Sequence, residues 1–224
     1  ALHRHYRRQR QMCIRDRNLI DKGIIDTIPV VGVVGNMMLW ASGVDIGEGN
    51  KSFIRNALGD DFQDTWSLAE FLYESHKEFF LLPSDIAVEV DGNRVAMNVS
   101  ELPTKYPIYD IGISTLQEIR PLMINAGCIL WNGPASYFEL PGFAFGTIEI
   151  LNMCTESSAV TIVGGGHTSS LVSNRGVADS VTHNSTGGGA CLTMLSGGLM
   201  PVIESLNKSN DKFRSLLPSL ELDN

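Results

Sequence analysis

Four glycine-bearing segments carry the residues best suited to chemistry in this sequence, and that chemistry is the binding of an anion. They are the stretch ending at Gly35, then Asn132-Gly133-Pro134, Gly164-Gly165-Gly166-His167-Thr168, and Ser185-Thr186-Gly187-Gly188-Gly189-Ala190. Each stands behind a short apolar run, at 27–34, 128–131, 160–163 and 181–184. Glycine lets backbone N–H groups turn toward a negative charge and lets the ligand approach with no Cβ in the way. A helix that starts just after such a loop adds the partial positive charge of its N-terminus. A triple glycine is also what a plain surface turn looks like. At 185–190 the anion reading gains weight, because an apolar run precedes the loop and a helix-like segment, Cys191 to Leu195, follows it.

The standard nucleotide signatures do not fit. G-x-G-x-x-G would need glycine at 169 or at 192, where Ser169 and Leu192 stand, and no G-x-x-x-x-G-K-[ST] occurs.

The elements that would position these loops follow from the pattern around them. Short β-rich runs without alternation, separated by helical patterns, predict an α/β fold: a Rossmann-like three-layer domain with a mainly parallel central sheet. Successive loops would then share the carboxyl edge of the sheet, where open parallel sheets bind ligands. Gly35, Asn132, Gly165 and Gly187 are therefore expected to face one crevice. Phe62, Trp66, Ala69, Tyr73 and His76 recur at helical spacing and read as a packing stripe. Ser114 and Gln117 make a capping box for the helix carrying Leu116, Ile119 and Met123. Asp91-Gly92 reads as a hairpin turn between 86–90 and 94–99.

Charge narrows the function classes. The formal net charge of −8 divides into +5 over residues 1–17 and −13 over the rest. An acidic body argues against nucleic-acid binding, so an anionic ligand must be held by local dipoles. No apolar run reaches the about 18 residues needed to span a bilayer, and no membrane partner is expected. The arginine-rich start, 1–17, has no period that continues into the body and reads as a non-native or disordered basic segment. Cys13, Cys128, Cys154 and Cys191 are scattered, with no C-x-x-C pairing. They suggest a reducing, cytoplasmic setting, with Cys128 and Cys154 as small core residues.

Read in order, the motifs resemble the C-terminal domain of the phosphoglycerate kinase family. The carrying residues are Trp131-Asn132-Gly133-Pro134, Phe138-Glu139, Phe143-Ala144 and Gly146-Thr147. They continue with Val163 to Thr168, Ala178-Asp179, His183 to Ala190 and Leu195-Ser196-Gly197. Leu82-Pro83-Ser84-Asp85 and Asp110-Ile111-Gly112 match the family's L-P-x-D and D-I-G. The resemblance implies two lobes, one for phosphoglycerate and one for ADP or ATP with Mg²⁺, and reversible phosphoryl transfer between 1,3-bisphosphoglycerate and ADP. It implies that Gly35, Asn132 and Pro134 line the adenosine pocket and that Glu139 bonds the ribose hydroxyls. Gly165, Gly166 and Thr168 would lie beside the phosphates, while Gly187 and Gly188 would donate N–H groups to the phosphoryl group in transfer.

Three departures stand out. His167 occupies the position where the family commonly has an aspartate ligand to magnesium, and imidazole suits hard Mg²⁺ poorly, which leaves the metal ligand open. G-G-G-H-T is a variant that resembles the archaeal-type branch. Ser136 and Ile108-Tyr109 replace smaller residues around the base. His183 reads as a buried strand residue. Finally, no lysine falls in the glycine loops, and residues 1–131 carry no segment expected to be the family's arginine-rich substrate lobe. Residues 18–224 are accordingly expected to be the nucleotide-binding half of the enzyme, inactive alone and lacking its N-terminal lobe. Two other readings remain: a non-catalytic nucleotide-binding scaffold, and a nicotinamide-dependent oxidoreductase, which the missing G-x-G-x-x-G disfavours.

Overall fold

The computed structural model describes residues 20–195 and 197–214. The basic segment 1–17, Cys13 and Ser196 lie outside the described residues. The expected α/β class is observed, with the strands divided among three ladders. β1 (Ile28–Pro29) runs parallel to β2 (Phe80–Leu81). β3 (Asp85–Val90) pairs antiparallel with β4 (Asn93–Asn98) and with β5 (Ile108–Ile111). β6 (Cys128–Asn132), β7 (Val160–Gly164) and β8 (His183–Ser185) form a parallel sheet with β7 in the centre.

The helices are α1 (Gly32–Ala41), α2 (Glu48–Leu58), α3 (Phe62–His76), α4 (Ile113–Ile124), α5 (Phe145–Glu156), α6 (Gly166–Asn174), α7 (Gly188–Leu195) and α8 (Pro201–Phe213). Two apolar cores follow from them. One packs α4, α5 and α6 on β6 and β7 through Leu116, Ile119, Trp131, Leu151, Val163 and Val172. The other packs α1, α2 and α3 on β3 and β5 through Met38, Leu39, Ile54, Leu72 and Val88. In β6 and β7 the burial alternates. Ile129, Trp131, Thr161 and Val163 are buried, while Leu130 and Ile162 are half-buried, so the two faces are covered unequally.

Three local expectations need correction. The run 27–34 pairs as a strand only at Ile28–Pro29, and the chain is helical from Gly32. Burial of Met37, Met38 and Leu39 outweighs the β-propensity of the valines before them. Gly35 therefore lies inside α1 and not in a loop, with its missing Cβ only 2.8 Å from the Val30 carbonyl oxygen. It is a glycine of close packing.

The Ser114–Gln117 capping box is replaced by a partner from another strand. Asp85 accepts hydrogen bonds from the N–H groups of Ser114 (2.9 Å) and Thr115 (2.8 Å), and from the Thr115 hydroxyl (2.7 Å). Burial opposes the charge, but these bonds outweigh it and hold the carboxyl below its usual range. A Cβ on Gly112 would meet that carboxylate at 2.2 Å, so the L-P-x-D and D-I-G motifs are two halves of one helix cap.

The third correction concerns side chains expected inside. His183 is exposed, because β8 is an edge strand, and Cys128 at the start of β6 is exposed too. Cys154 is buried as expected, and burial pushes its thiol up to about 12. The 86–90/94–99 hairpin is observed within a residue at each end, turning at Asp91 and Gly92, both with positive φ.

Candidate functional site

The parallel register aligns the three strand ends. Asn132 lies beside Gly164, and Gly164 beside Ser185, so the loops after β6, β7 and β8 leave from one row. Their glycines then pack against one another. A Cβ on Gly188 would lie 2.2 Å from the Gly165 nitrogen, 2.4 Å from Asn132 Oδ1 and 2.7 Å from the Gly164 carbonyl carbon. Asn132 Oδ1 is also the near neighbour of the positions a Cβ would take on Gly164 (3.0 Å) and Gly165 (3.4 Å). The Asn132 side chain thus sits at the meeting point of three loops. Gly165, at φ +101°, turns the chain into α6, and its N–H donates to the Ser185 carbonyl at 3.1 Å.

Two helices begin at this edge, α6 at Gly166 and α7 at Gly188, and the first-turn N–H groups of a helix point outward from its start. Gly187 directs its N–H to Ser185 Oγ (3.2 Å) and its carbonyl to the N–H groups of Ala190 and Cys191. Gly166 has open space where a Cβ would be. Such an edge can hold an anion through backbone dipoles without a net positive charge.

The remaining expected residues are placed unevenly. Thr168 is fully buried, and its hydroxyl donates back to the carbonyl of Gly164 and, at 3.1 Å, of Gly165. That hydroxyl braces the start of α6 against the loop after β7, 3.1 Å from where a Cβ on Gly165 would be. Pro134 touches α1 instead: a Cβ on Gly32 would lie 2.7 Å from its carbonyl oxygen. Gly32, at φ +61°, is the residue that lets α1 start against the Asn132-Gly133-Pro134 loop. The strand pattern points to Gly35, whereas the close approach falls at Gly32, a glycine inside a β-branched run and so itself a sign of close backbone approach.

Glu139 is exposed, and its Oε1 lies 3.1 Å from His167 Nδ1. The pair joins the loop after β6 to the first turn of α6. Among the described residues no three His, Cys, Asp or Glu side chains gather as metal ligands. The donors present at the edge, one carboxylate hydrogen-bonded to an imidazole, do not make a protein cage for Mg²⁺.

The scaffold behind the loop after β6 uses the other motif residues. The Thr147 hydroxyl oxygen accepts the Ala135 N–H (3.1 Å) and lies 2.6 Å from the buried Ser136 hydroxyl, tying the loop to α5. A bulge in the β3–β5 pairing leaves Tyr109 out of register, and its carbonyl takes the Tyr137 N–H at 2.7 Å. Tyr109 also stacks edge-on with Tyr137 and Phe143 and lines a cleft of about 370 Å³ with Glu89 and Leu140 to Phe143. None of the cleft's lining residues belongs to the glycine loops.

Asp110 is buried beneath the start of α5. Its carboxylate accepts the Gly146 N–H at 3.1 Å and the Ile111 N–H at 2.8 Å, with Arg94 Nε at 3.5 Å. Burial dominates, and the carboxyl is pushed up to about 6 against those stabilising contacts. The folded value lies above the ordinary 3.8. This group's contribution is therefore fully present below about 3.8 and is lost as pH rises through about 6, by about 3 kcal/mol in total. Asp110→Asn keeps the shape without the titration. Urea unfolding at pH 4.5 and pH 7 should show a shallower fall in stability for the variant than for the wild type. Equal falls would show that Asp110 does not titrate in this window.

These features define an α/β domain whose glycine-bearing loops meet at one edge of a parallel sheet. Residues 15–198 match the sequence profile described as phosphoglycerate kinase, and the chain belongs to the phosphoglycerate kinase family. Among archaeal relatives it is 38% identical to the Methanobacterium bryantii phosphoglycerate kinase over 197 residues, covering 88% of this chain and 47% of that one. It is 37% identical to the Methanopyrus kandleri phosphoglycerate kinase over 190 residues, covering 85% of this chain and 46% of that one. The crystal structure of phosphoglycerate kinase from Pyrococcus horikoshii superposes with a TM-score of 0.81 at 30% identity, over 91% of this chain and 50% of that one. The chain spans about half the length of the curated relatives it matches. No helix among the described residues is long and apolar enough to cross a membrane.

Proposed function

We propose that residues 18–224 are the nucleotide-binding half of a phosphoglycerate kinase, acting in reversible phosphoryl transfer between 1,3-bisphosphoglycerate and ADP. The observation that carries this is the convergence of Asn132, Gly164, Gly165 and Gly188 at one sheet edge where two helices begin. Phosphoryl transfer needs positioning and the neutralisation of spread negative charge, and an edge of oriented N–H groups suits both needs. On this reading Gly165, Gly166, Gly187 and Gly188 surround the nucleotide phosphates, and Glu139 takes the ribose hydroxyls. Asn132 holds the loops in register. Magnesium would arrive held chiefly by the nucleotide's own phosphates, since the described residues offer no cage of carboxylates for it. The phosphoglycerate would be held by the half of the relatives that this chain does not span.

Glu139→Ala tests the reading at an exposed residue whose loss should leave the fold intact. ADP affinity measured by calorimetry should fall by about 1–3 kcal/mol, the loss of charge-assisted bonds to hydroxyls. Unchanged affinity in the folded variant would remove Glu139 from the site.

A further inference from the structure

We propose that His167 is a positioning residue for Glu139, a latch that sets how strongly the site recognises the hydroxyls of a nucleotide's sugar. The inference rests on the nucleotide reading above and adds a task for the one residue at the glycine edge whose type that reading left unexplained.

Glu139 starts from a poor position for recognition. It lies in a turn closed by the Leu140 N–H on the Tyr137 carbonyl at 3.1 Å, and its side chain is 44% exposed. A glutamate in that setting loses rotamer freedom when it binds a ligand, and that cost subtracts from affinity. His167 supplies the restraint. It follows Gly166 in the first turn of α6, where its neighbours Thr168 and Ser169 are both buried, so the helix start is anchored in the core. From there Nδ1 lies 3.1 Å from Glu139 Oε1, and Phe138 stands edge-on to the imidazole at 6.2 Å and 85°. The ring is thereby gripped from two consecutive residues of the facing loop.

The contact leaves Glu139 able to act. A carboxylate offers about four acceptor sites, so one bond from an imidazole N–H leaves room for ligand hydroxyls. The latch also spans the two loops between which a ligand would lie, because Glu139 follows β6 and His167 follows β7. Its effect is therefore specific to ligands with a hydroxyl for Glu139 to take, and a ligand without that hydroxyl gains nothing from it.

That specificity supplies the test. ADP, 2′-deoxy-ADP and 3′-deoxy-ADP are titrated by calorimetry into the full 224-residue chain, into His167→Ala, His167→Asn and Glu139→Ala, and into the double variant His167→Ala/Glu139→Ala. The wild type should prefer ADP over at least one deoxynucleotide. In His167→Ala that preference should shrink by about three- to tenfold, the range expected when one hydrogen bond is lost. Affinity for the deoxynucleotide itself should stay within about twofold, which a general loosening of the site would not allow. His167→Asn places an amide nitrogen near the position of Nδ1 and should restore the preference. The double variant should be no worse than Glu139→Ala. A preference for ADP that survives His167→Ala unchanged overturns the proposal. Failure of the wild type to bind ADP would instead overturn the nucleotide reading itself, so the two failures are read from different proteins.

Discussion

Gly188→Ala should lower ADP affinity by about a hundredfold or more and should also lower the melting temperature. The methyl group has nowhere to go. It would lie 2.2 Å from the Gly165 nitrogen, 2.4 Å from Asn132 Oδ1 and 2.7 Å from the Gly164 carbonyl carbon, and two of those three obstacles are backbone. Overpacking of this kind costs about 1–3 kcal/mol in stability and is relieved only by moving the surroundings. Here the surroundings are the loop after β7 and the start of α7, which together form the proposed phosphate cradle. A displacement of about 1 Å in a preorganised site can cost about a hundredfold in function, close to about 3 kcal/mol. Gly127→Ala is the control, because a Cβ there meets nothing within 4 Å. Its melting temperature and ADP affinity should match the wild type. A Gly188→Ala protein that melts and binds like the wild type would show that the three loops do not form one site.

The loops were legible in the sequence because their signal is local: a β-rich run, then glycines, then a helical pattern. The same rule failed at residues 27–34. Val30, Val31, Val33 and Val34 favour a strand by type, yet the helix that buries Met37, Met38 and Leu39 starts among them. Tertiary burial overrides propensity here, so the glycine that meets the Asn132-Gly133-Pro134 loop is Gly32 and not Gly35, which lies inside the helix. The helix cap at Asp85 was hidden for a different reason. Its partners, Ser114 and Thr115, are 29 and 30 residues away, so a capping box inside the helix was the nearer solution on paper.

The residues that resembled a family motif also turned out to have unequal tasks. Asn132, Gly165 and Gly188 meet at the edge, whereas Asp85, Gly112, Asp110, Gly146 and Thr147 hold elements together behind it. A motif records both kinds of residue without separating them. The Glu139–His167 contact was out of reach of sequence reasoning altogether. The two residues lie 28 apart, and only the parallel pairing of β6 with β7 brings their loops side by side.

Residues 18–224, purified alone, should bind ADP weakly and show no measurable phosphoryl transfer in a coupled kinase assay. The binding follows from the glycine edge, whose three loops after β6, β7 and β8 all lie within these residues. The missing turnover follows from geometry. Transfer requires the donor acyl phosphate to lie in line with ADP, and the chain spans about half the length of relatives that carry the family name. The described edge offers glycines, one asparagine and a glutamate–histidine pair, which suit a nucleotide and supply no cluster of cations for a second phosphorylated substrate. Correct orientation is worth about 7–11 kcal/mol in well-aligned reactions, so its loss removes roughly five to eight orders of magnitude in rate. Fusing residues 18–224 to the unmatched half of the Methanobacterium bryantii relative should restore turnover, and adding residues 1–17 to residues 18–224 should change nothing. Substantial turnover by residues 18–224 alone would mean that the catalytic groups are already within this chain and have been assigned to the wrong half.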